Sequence, residues 1–96
     1  MSYLATIQNQ LKQVKPHLSE KYHVRTLGLF GSIVRADFTN DSDIDIVVDF
    51  HNPIGIEFID LALELERLLK RKVDLVSRNG IKPKYFHEIQ SEIIYV

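Results

Sequence analysis

Cysteine and tryptophan are absent from this 96-residue sequence, and proline and glycine occur only three and four times. Without cysteine there is no disulfide and no thiolate metal site. A hydrophobic fraction of 45% with so little glycine and proline is typical of a folded domain rather than a disordered segment. The length suits one small domain, and we expect residues 1–96 to share a single core.

An excess of charge of either sign is also missing, because 12 basic residues are balanced by 13 acidic ones. This balance argues against a protein that grips an extended nucleic acid, although a single nucleotide needs only a local site. No apolar run is long enough to cross a membrane. The polar start of the sequence lacks the pattern of a secretory leader, so we expect a cytoplasmic location.

Hydrophobic periodicity predicts helices that alternate with three strands, an order typical of an α/β or α+β domain whose helices flank a small sheet. Pro16 is expected to interrupt the first helix or to start a second short turn. Residues 94–96 are expected to form an extended tail. The predicted helices cover residues 4–18, 32–36 and 58–69 and begin again at Pro83, and the predicted strands cover 24–30, 43–50 and 72–76.

Asp43 and Asp45 are candidate metal ligands. Side chains two apart in a strand point to the same face, so these carboxylates repel each other unless a cation or a proton lies between them. Oxygen-only ligands suit magnesium or manganese. For an isolated Asp-x-Asp, a strand end in solvent is the better interpretation. An EF-hand calcium loop is excluded, because it needs Gly in place of Ile46 and Glu in place of Asn52.

Gly31-Ser32 follows a predicted strand and opens a predicted helix. Free N–H groups at such a turn bind phosphate, and the missing glycine side chain lets the phosphate approach. Arg35 lies one helical turn later and is a candidate phosphate clamp. The competing interpretation, a simple strand–turn–helix junction capped by Ser32, is the better one for Gly-Ser taken alone.

Asp74 is a carboxylate inside an apolar strand, which is costly without a partner. If its strand lies beside the strand of Asp43, Asp74 completes a set of three metal-binding carboxylates. The equally favoured alternative is an exposed edge-strand residue paired with Lys72 or Arg71. The four histidines show no ligand spacing and are interpreted as surface or loop residues.

Gly31-Ser32, ten further residues and then Asp43-Ile44-Asp45 together resemble the defining motif of the DNA polymerase β-like nucleotidyltransferase superfamily. Residues 29–48 resemble its minimal nucleotidyltransferase branch. The resemblance continues through residues 71–76 to residues 93–96, and so covers nearly the whole chain. It implies a nucleotidyltransferase fold with a mixed sheet.

The same resemblance implies roles for six residues. Two magnesium ions and ATP are the implied cofactor and substrate. Relatives often carry glycine where Ala36 stands, and smaller residues where Ile33 and Val34 stand. The implied metal ligands are Asp43, Asp45 and Asp74, the implied phosphate-holding residues are Gly31 and Ser32, and Arg35 matches a basic position near the phosphates.

Minimal nucleotidyltransferases of this branch are commonly antitoxins that act beside a HEPN-domain ribonuclease toxin and transfer AMP from ATP to one of its tyrosines. The resemblance therefore implies protein AMP transfer, with release of pyrophosphate, inside a hetero-oligomer. Two alternatives remain open at this stage. One is nucleotide transfer to a small-molecule hydroxyl, and the other is a non-catalytic antitoxin that neutralises its partner by contact.

Overall fold

The structure, a computed structural model, describes residues 2–96 and contains a four-stranded mixed sheet. Its elements are α1 (Tyr3–Tyr22), β1 (Val24–Phe30), α2 (Ser32–Arg35), β2 (Ile44–Phe50), α3 (Glu57–Leu69), β3 (Val73–Ser77), α4 (Pro83–Ile89) and β4 (Ile94–Tyr95). The strand order is β3-β2-β1-β4; β2 is parallel to β3, while β1 is antiparallel to both β2 and β4. The predicted fold class, a small mixed sheet flanked by helices, is confirmed.

Side chains that alternate along β2 contribute to two apolar clusters. Ile44, Ile46 and Val48 are fully buried and pack with α1 and α3, which cover one face of the sheet. Val47 points the other way and joins a smaller cluster with Phe30 and residues in and beside α4. Because both faces of β2 are covered, this strand lies at the centre of the molecule. It therefore fixes the position of Asp43, the residue directly before it.

Helix α3 shows why an apolar stripe was predicted there. Leu61, Leu65 and Leu69 lie on one side of the helix and are buried against the sheet. Ile59 and Leu63, which widen the stripe, are instead 59% and 50% exposed. In the part of the chain that the structure describes, no helix is both long and apolar enough to cross a membrane.

The prediction that Pro16 interrupts the first helix was wrong, because α1 continues through it to Tyr22. Proline removes one backbone donor from a helix. Here the ring is exposed, while Leu11 and Leu18 on either side are fully buried in the core. Burial of these flanking leucines stabilises the helix by more than the single lost hydrogen bond costs, so tertiary packing overrides the local signal.

The prediction of three strands and an extended tail was also wrong, since residues 94–95 form β4 on the free edge of β1. A two-residue strand has no periodicity to detect in a sequence. What permits the pairing is Gly28, where a Cβ atom would lie 2.5 Å from Cγ2 of Ile93 and 3.2 Å from the ring of Tyr95. The absence of a side chain at Gly28 therefore lets the end of the chain close over β1.

Replacing Gly28 with Ala should destabilise the protein by about 1–3 kcal/mol, the usual cost of overpacking, because the added methyl group displaces Ile93 or Tyr95. Urea denaturation followed by circular dichroism measures the change. Gly55→Ala is the matched control, since a Cβ there meets only Glu57 Oε2 at 3.7 Å. Equal stability of the two variants would show that β4 does not need the close approach.

Candidate active site

Two of the predicted metal ligands meet across the pairing of β2 and β3. The parallel register places Asp45 directly opposite Asp74, on the sheet face away from Ile44 and Ile46. Asp43 lies one residue before β2 and is exposed, as is Asp74, whereas Asp45 is partly buried. The condition set from the sequence, that the strand of Asp74 lies beside the strand of Asp43, is therefore fulfilled.

The charge environment of Asp45 is unfavourable for a carboxylate. The pKa of Asp45 is raised from 3.8 to about 6, by burial most of all and then by the negative charges of Asp74 and Asp43. The positive charge of Arg35 acts in the opposite direction, but it does not cancel these effects. Such a carboxylate is stabilised by a proton or by a cation close to it.

The donor set fits a hard divalent cation, because it consists of carboxylate oxygens without sulfur or imidazole. Asp45 and Asp74 are paired by register, and a cation between them would relieve the repulsion that raises the pKa of Asp45. No three acidic or histidine side chains among residues 2–96 are already gathered closely enough to hold an ion. The paired carboxylates therefore have the chemistry of part of a metal site, and Asp43 lies close to Asp45 in the sequence.

The Gly31 turn lies against Asp45. Gly31 has φ 78° and ψ −150°, a backbone region essentially limited to glycine. A Cβ atom there would collide with Oδ2 of Asp45. Glycine is thus required both by the backbone and by the carboxylate beside it, and the turn is brought into contact with the carboxylate pair.

Ser32 is the first residue of α2 and is partly buried, next to Gly31. The Gly31 carbonyl accepts hydrogen bonds from the backbone N–H groups of Val34 and Arg35, at 3.0 and 3.1 Å. These bonds close the short helix and fix the direction in which Ser32 leaves the turn. Two motifs that are separate in the sequence, Gly31-Ser32 and Asp43-x-Asp45, therefore form one surface.

Arg35, the predicted phosphate clamp, is about half exposed and has acidic partners. Its Nη1 atom lies 3.3 and 3.4 Å from the two carboxylate oxygens of Glu92, and its Nε atom lies 3.8 Å from Asp37. Glu92 was missed by the sequence reasoning. Nothing in local spacing reveals it, because 57 residues separate it from Arg35 and only the pairing of β4 brings it near.

The alternative that Asp74 forms an ion pair with Lys72 or Arg71 is not observed, since Asp74 has no such pair within residues 2–96. Arg71 instead donates hydrogen bonds through Nη2 to the carbonyl oxygens of Thr39, Asn40 and Ser42, at 2.9, 3.2 and 2.8 Å. It thereby fastens the loop before Asp43 to the start of β3.

A cavity lies elsewhere, at the opposite ends of β2 and β3. Its volume is about 500 Å³, and its lining includes Phe50, Phe58 and Arg78 but none of the predicted site residues. Size favours this cavity, whereas paired carboxylates against a glycine turn favour the other end of the strands. The carboxylate end is the stronger candidate, because only there do charge repulsion and backbone geometry call for a ligand.

Several known proteins are similar to this chain. The protein adenylyltransferase MntA of Thermococcus cleftensis is 40% identical over 97 residues, covering 100% of this chain and 98% of its own length. A candidate minimal nucleotidyltransferase of solved structure superposes with a TM-score of 0.80 at 30% identity, over 98% of this chain and 95% of its own. A toxin–antitoxin complex with AMP-PNP contains a chain that superposes at 0.74 and 25% identity, over 91% and 71%.

The polymerase beta nucleotidyltransferase family matches residues 12–96, a span that includes the glycine turn and all three aspartates. The relatives at 30–40% identity cover this chain almost from end to end. The chain therefore belongs to the polymerase beta nucleotidyltransferase family.

Proposed function

We propose that this protein is a magnesium-dependent antitoxin enzyme that transfers AMP from ATP to a tyrosine hydroxyl of a HEPN-domain toxin. The observation that carries the proposal is the pair Asp45 and Asp74, held side by side against the Gly31 turn. The protein adenylyltransferase among its relatives supports protein as the acceptor. The AMP-PNP complex of a similar chain supports ATP as the donor, and its toxin–antitoxin assembly supports a toxin as the partner.

The reaction is an in-line displacement at the α-phosphorus of ATP. A bond forms between the tyrosine oxygen and the α-phosphorus, and the bond from that phosphorus to the β-phosphate oxygen breaks. The electron pair of the broken bond leaves with pyrophosphate. The hydroxyl proton passes to the carboxylate of Asp74, which is exposed and so can be reached by an acceptor hydroxyl.

The remaining residues bind and orient. Asp43, Asp45 and Asp74 would hold magnesium, which when bound neutralises phosphate charge and acidifies the acceptor hydroxyl. Ser32 and the turn at Gly31 hold the phosphates. The N–H of Gly31 is already bonded to Glu92, so Gly31 contributes through its missing Cβ, which would otherwise obstruct the approach to Asp45. Arg35 lies close enough to Asp45 to lower its pKa and so contributes positive charge at the site.

The partner would cover part of the outer surface of α3. Ile56, Ile59 and Leu63 are spaced three and four apart and are 79%, 59% and 50% exposed, an apolar row on an otherwise charged helix. Such rows mark interaction surfaces more often than lone apolar residues do. We propose this row as the contact with the HEPN-domain toxin in a hetero-oligomer.

Asp43→Asn should lower AMP transfer to the co-purified toxin by at least about a hundredfold, since even residues that only support metal ligands cost 10–100-fold. The measurement is incorporation of labelled AMP into toxin tyrosine, with magnesium or with excess chelator. Glu20→Gln, an exposed change of the same kind on α1 and away from both the site and the apolar row of α3, is the matched control and should stay active. Equal labelling in chelator and in magnesium would contradict the metal requirement.

Melting experiments can test whether the pKa of Asp45 is raised, because the direction of the shift decides how stability changes with pH. Because the folded pKa of about 6 lies above the ordinary 3.8, this carboxyl favours folding below pH 3.8, and that contribution is lost as pH rises through 6. Without metal, Asp45→Asn should therefore gain stability over the parent between pH 5 and pH 8, by about 1–2 kcal/mol after allowance for solvent screening.

Saturating magnesium should reverse this order at pH 8, because metal stabilises only the chain with the intact site. Thermal melts of parent and Asp45→Asn at both pH values, in chelator and in magnesium, measure both effects. Asp41→Asn, in the exposed loop, controls for the general loss of one negative charge. A stability difference between the parent and Asp45→Asn that changes with neither pH nor magnesium would mean that Asp45 is an ordinary structural carboxylate.

Ile59→Asp should separate this chain from its co-expressed toxin without unfolding it, because the side chain is already 59% exposed. Light scattering of the purified pair measures the association. Ile7→Asp is unsuitable as a control because that residue is buried, so the exposed Tyr85→Asp on α4 serves instead. Intact association of the Ile59 variant would exclude the outer row of α3 from the interface.

A further inference from the structure

Glu92 reaches the candidate site from the far end of the chain. Its Oε1 atom accepts a hydrogen bond from the backbone N–H of Gly31 at 3.0 Å, although 61 residues separate the two. The same carboxylate accepts from Nη1 of Arg35, at 3.3 Å to Oε1 and 3.4 Å to Oε2. One side chain therefore contacts two of the predicted nucleotide-binding residues at once.

The two contacts differ in strength. The ion pair with Arg35 is long, and the Arg35 side chain is 52% exposed, so by itself it contributes little. The bond to Gly31 joins a carboxylate that is only 22% exposed to the N–H of a buried residue. Both contacts are charge-assisted, but the bond to Gly31 is shorter and less exposed to water, so the contact with Gly31 dominates.

The bond to Gly31 restrains the backbone at this glycine, whose conformation sets the shape of the turn. As a glycine, Gly31 has more backbone freedom than residues with a side chain, and its φ of 78° leaves no room for a Cβ beside Oδ2 of Asp45. Anchoring its N–H restricts that freedom. At the same time Glu92 keeps Arg35 near Asp45, whose pKa Arg35 lowers.

The location of Glu92 follows from β4. This strand pairs with β1 through Leu29 and Ile94, so the segment just before Ile94 is brought beside the end of β1 and the Gly31 turn. Only Ile93 lies between Glu92 and Ile94 along the chain. The closing strand thus carries a carboxylate to the turn on which the nucleotide would bind.

We propose that Glu92 is a positioning residue for nucleotide binding, acting through Gly31 and Arg35 rather than on the substrate. This inference rests on the proposed function for its effect on ATP, but its effect on the turn is independent of any activity. Glu92 acts as a hydrogen-bond acceptor for Gly31, so a neutral acceptor of the same length keeps most of its role.

Three variants test this role. Glu92→Ala removes the acceptor, and Glu92→Gln keeps an oxygen at the same reach. Glu88→Ala removes an exposed carboxylate in α4, four residues earlier, that makes no side-chain hydrogen bond within residues 2–96. Transfer kinetics with magnesium and ATP should show kcat/KM about tenfold to a hundredfold lower in Glu92→Ala, the range expected for losing a charged hydrogen bond. Glu92→Gln and Glu88→Ala should stay within about threefold of the parent.

Amide exchange of Gly31, followed by NMR in nucleotide-free protein, is the second readout. Its exchange should be at least about tenfold faster in Glu92→Ala and unchanged in Glu92→Gln, because only the first variant frees the N–H. Thermal melts of all variants separate this local effect from loss of fold, which would speed exchange throughout β1.

Each outcome is decisive for one of the two proposals. A parent protein without transfer activity sinks the proposed function, while unprotected Gly31 exchange in the parent sinks the role of Glu92. Tighter ATP binding by Glu92→Ala would also overturn that role, since it would mean that the carboxylate competes with the phosphates. Equal losses in Glu92→Gln and Glu92→Ala would show that charge, and not the bond to Gly31, is what matters.

Discussion

The alternation of side chains along β2 is the constraint on which the site depends. Ile44, Ile46 and Val48 are sealed into the core, and a shift of one residue would bury Asp45 and Asp49 in their place. That shift is prohibitively costly, because a buried carboxylate needs compensation that the core does not offer. The hydrophobic effect, acting on one face of the strand, thereby fixes the carboxylates on the other.

The carboxylate end of the sheet is a place where folding alone leaves charge unbalanced. The charges of Asp43 and Asp74 act on Asp45, while Arg35, the one positive charge that lowers its pKa, forms its own ion pairs with Asp37 and Glu92. Most of the other acidic residues that form ion pairs do so far from this end, as Glu64 does with Lys21. Carboxylates that repel one another when no ligand is bound are common at sites whose ligand carries the opposite charge.

The sequence predicted most of this architecture because its strongest signals are local. Periodicity over α3 and the strand run of β2 depends on neighbours within a few residues, and the Gly-Ser and Asp-x-Asp motifs span only two and three residues. Pro16 was misjudged because burial on both sides outweighed a local rule. Strand β4 and Glu92 were missed for the opposite reason, since contacts across some sixty residues leave no periodic trace.

Arg71 connects two segments of the chain that carry acidic residues of the candidate site. By binding three carbonyl oxygens of the loop over residues 39–42, and by lying over the ring of Phe38 at 4.7 Å, it joins the segment before Asp43 to the strand of Asp74. The loop before Asp43 and the start of β3 are therefore held in fixed relative positions by the folded structure. Ordering the acidic groups costs conformational entropy when the protein folds. Ligand binding therefore does not have to offset that cost.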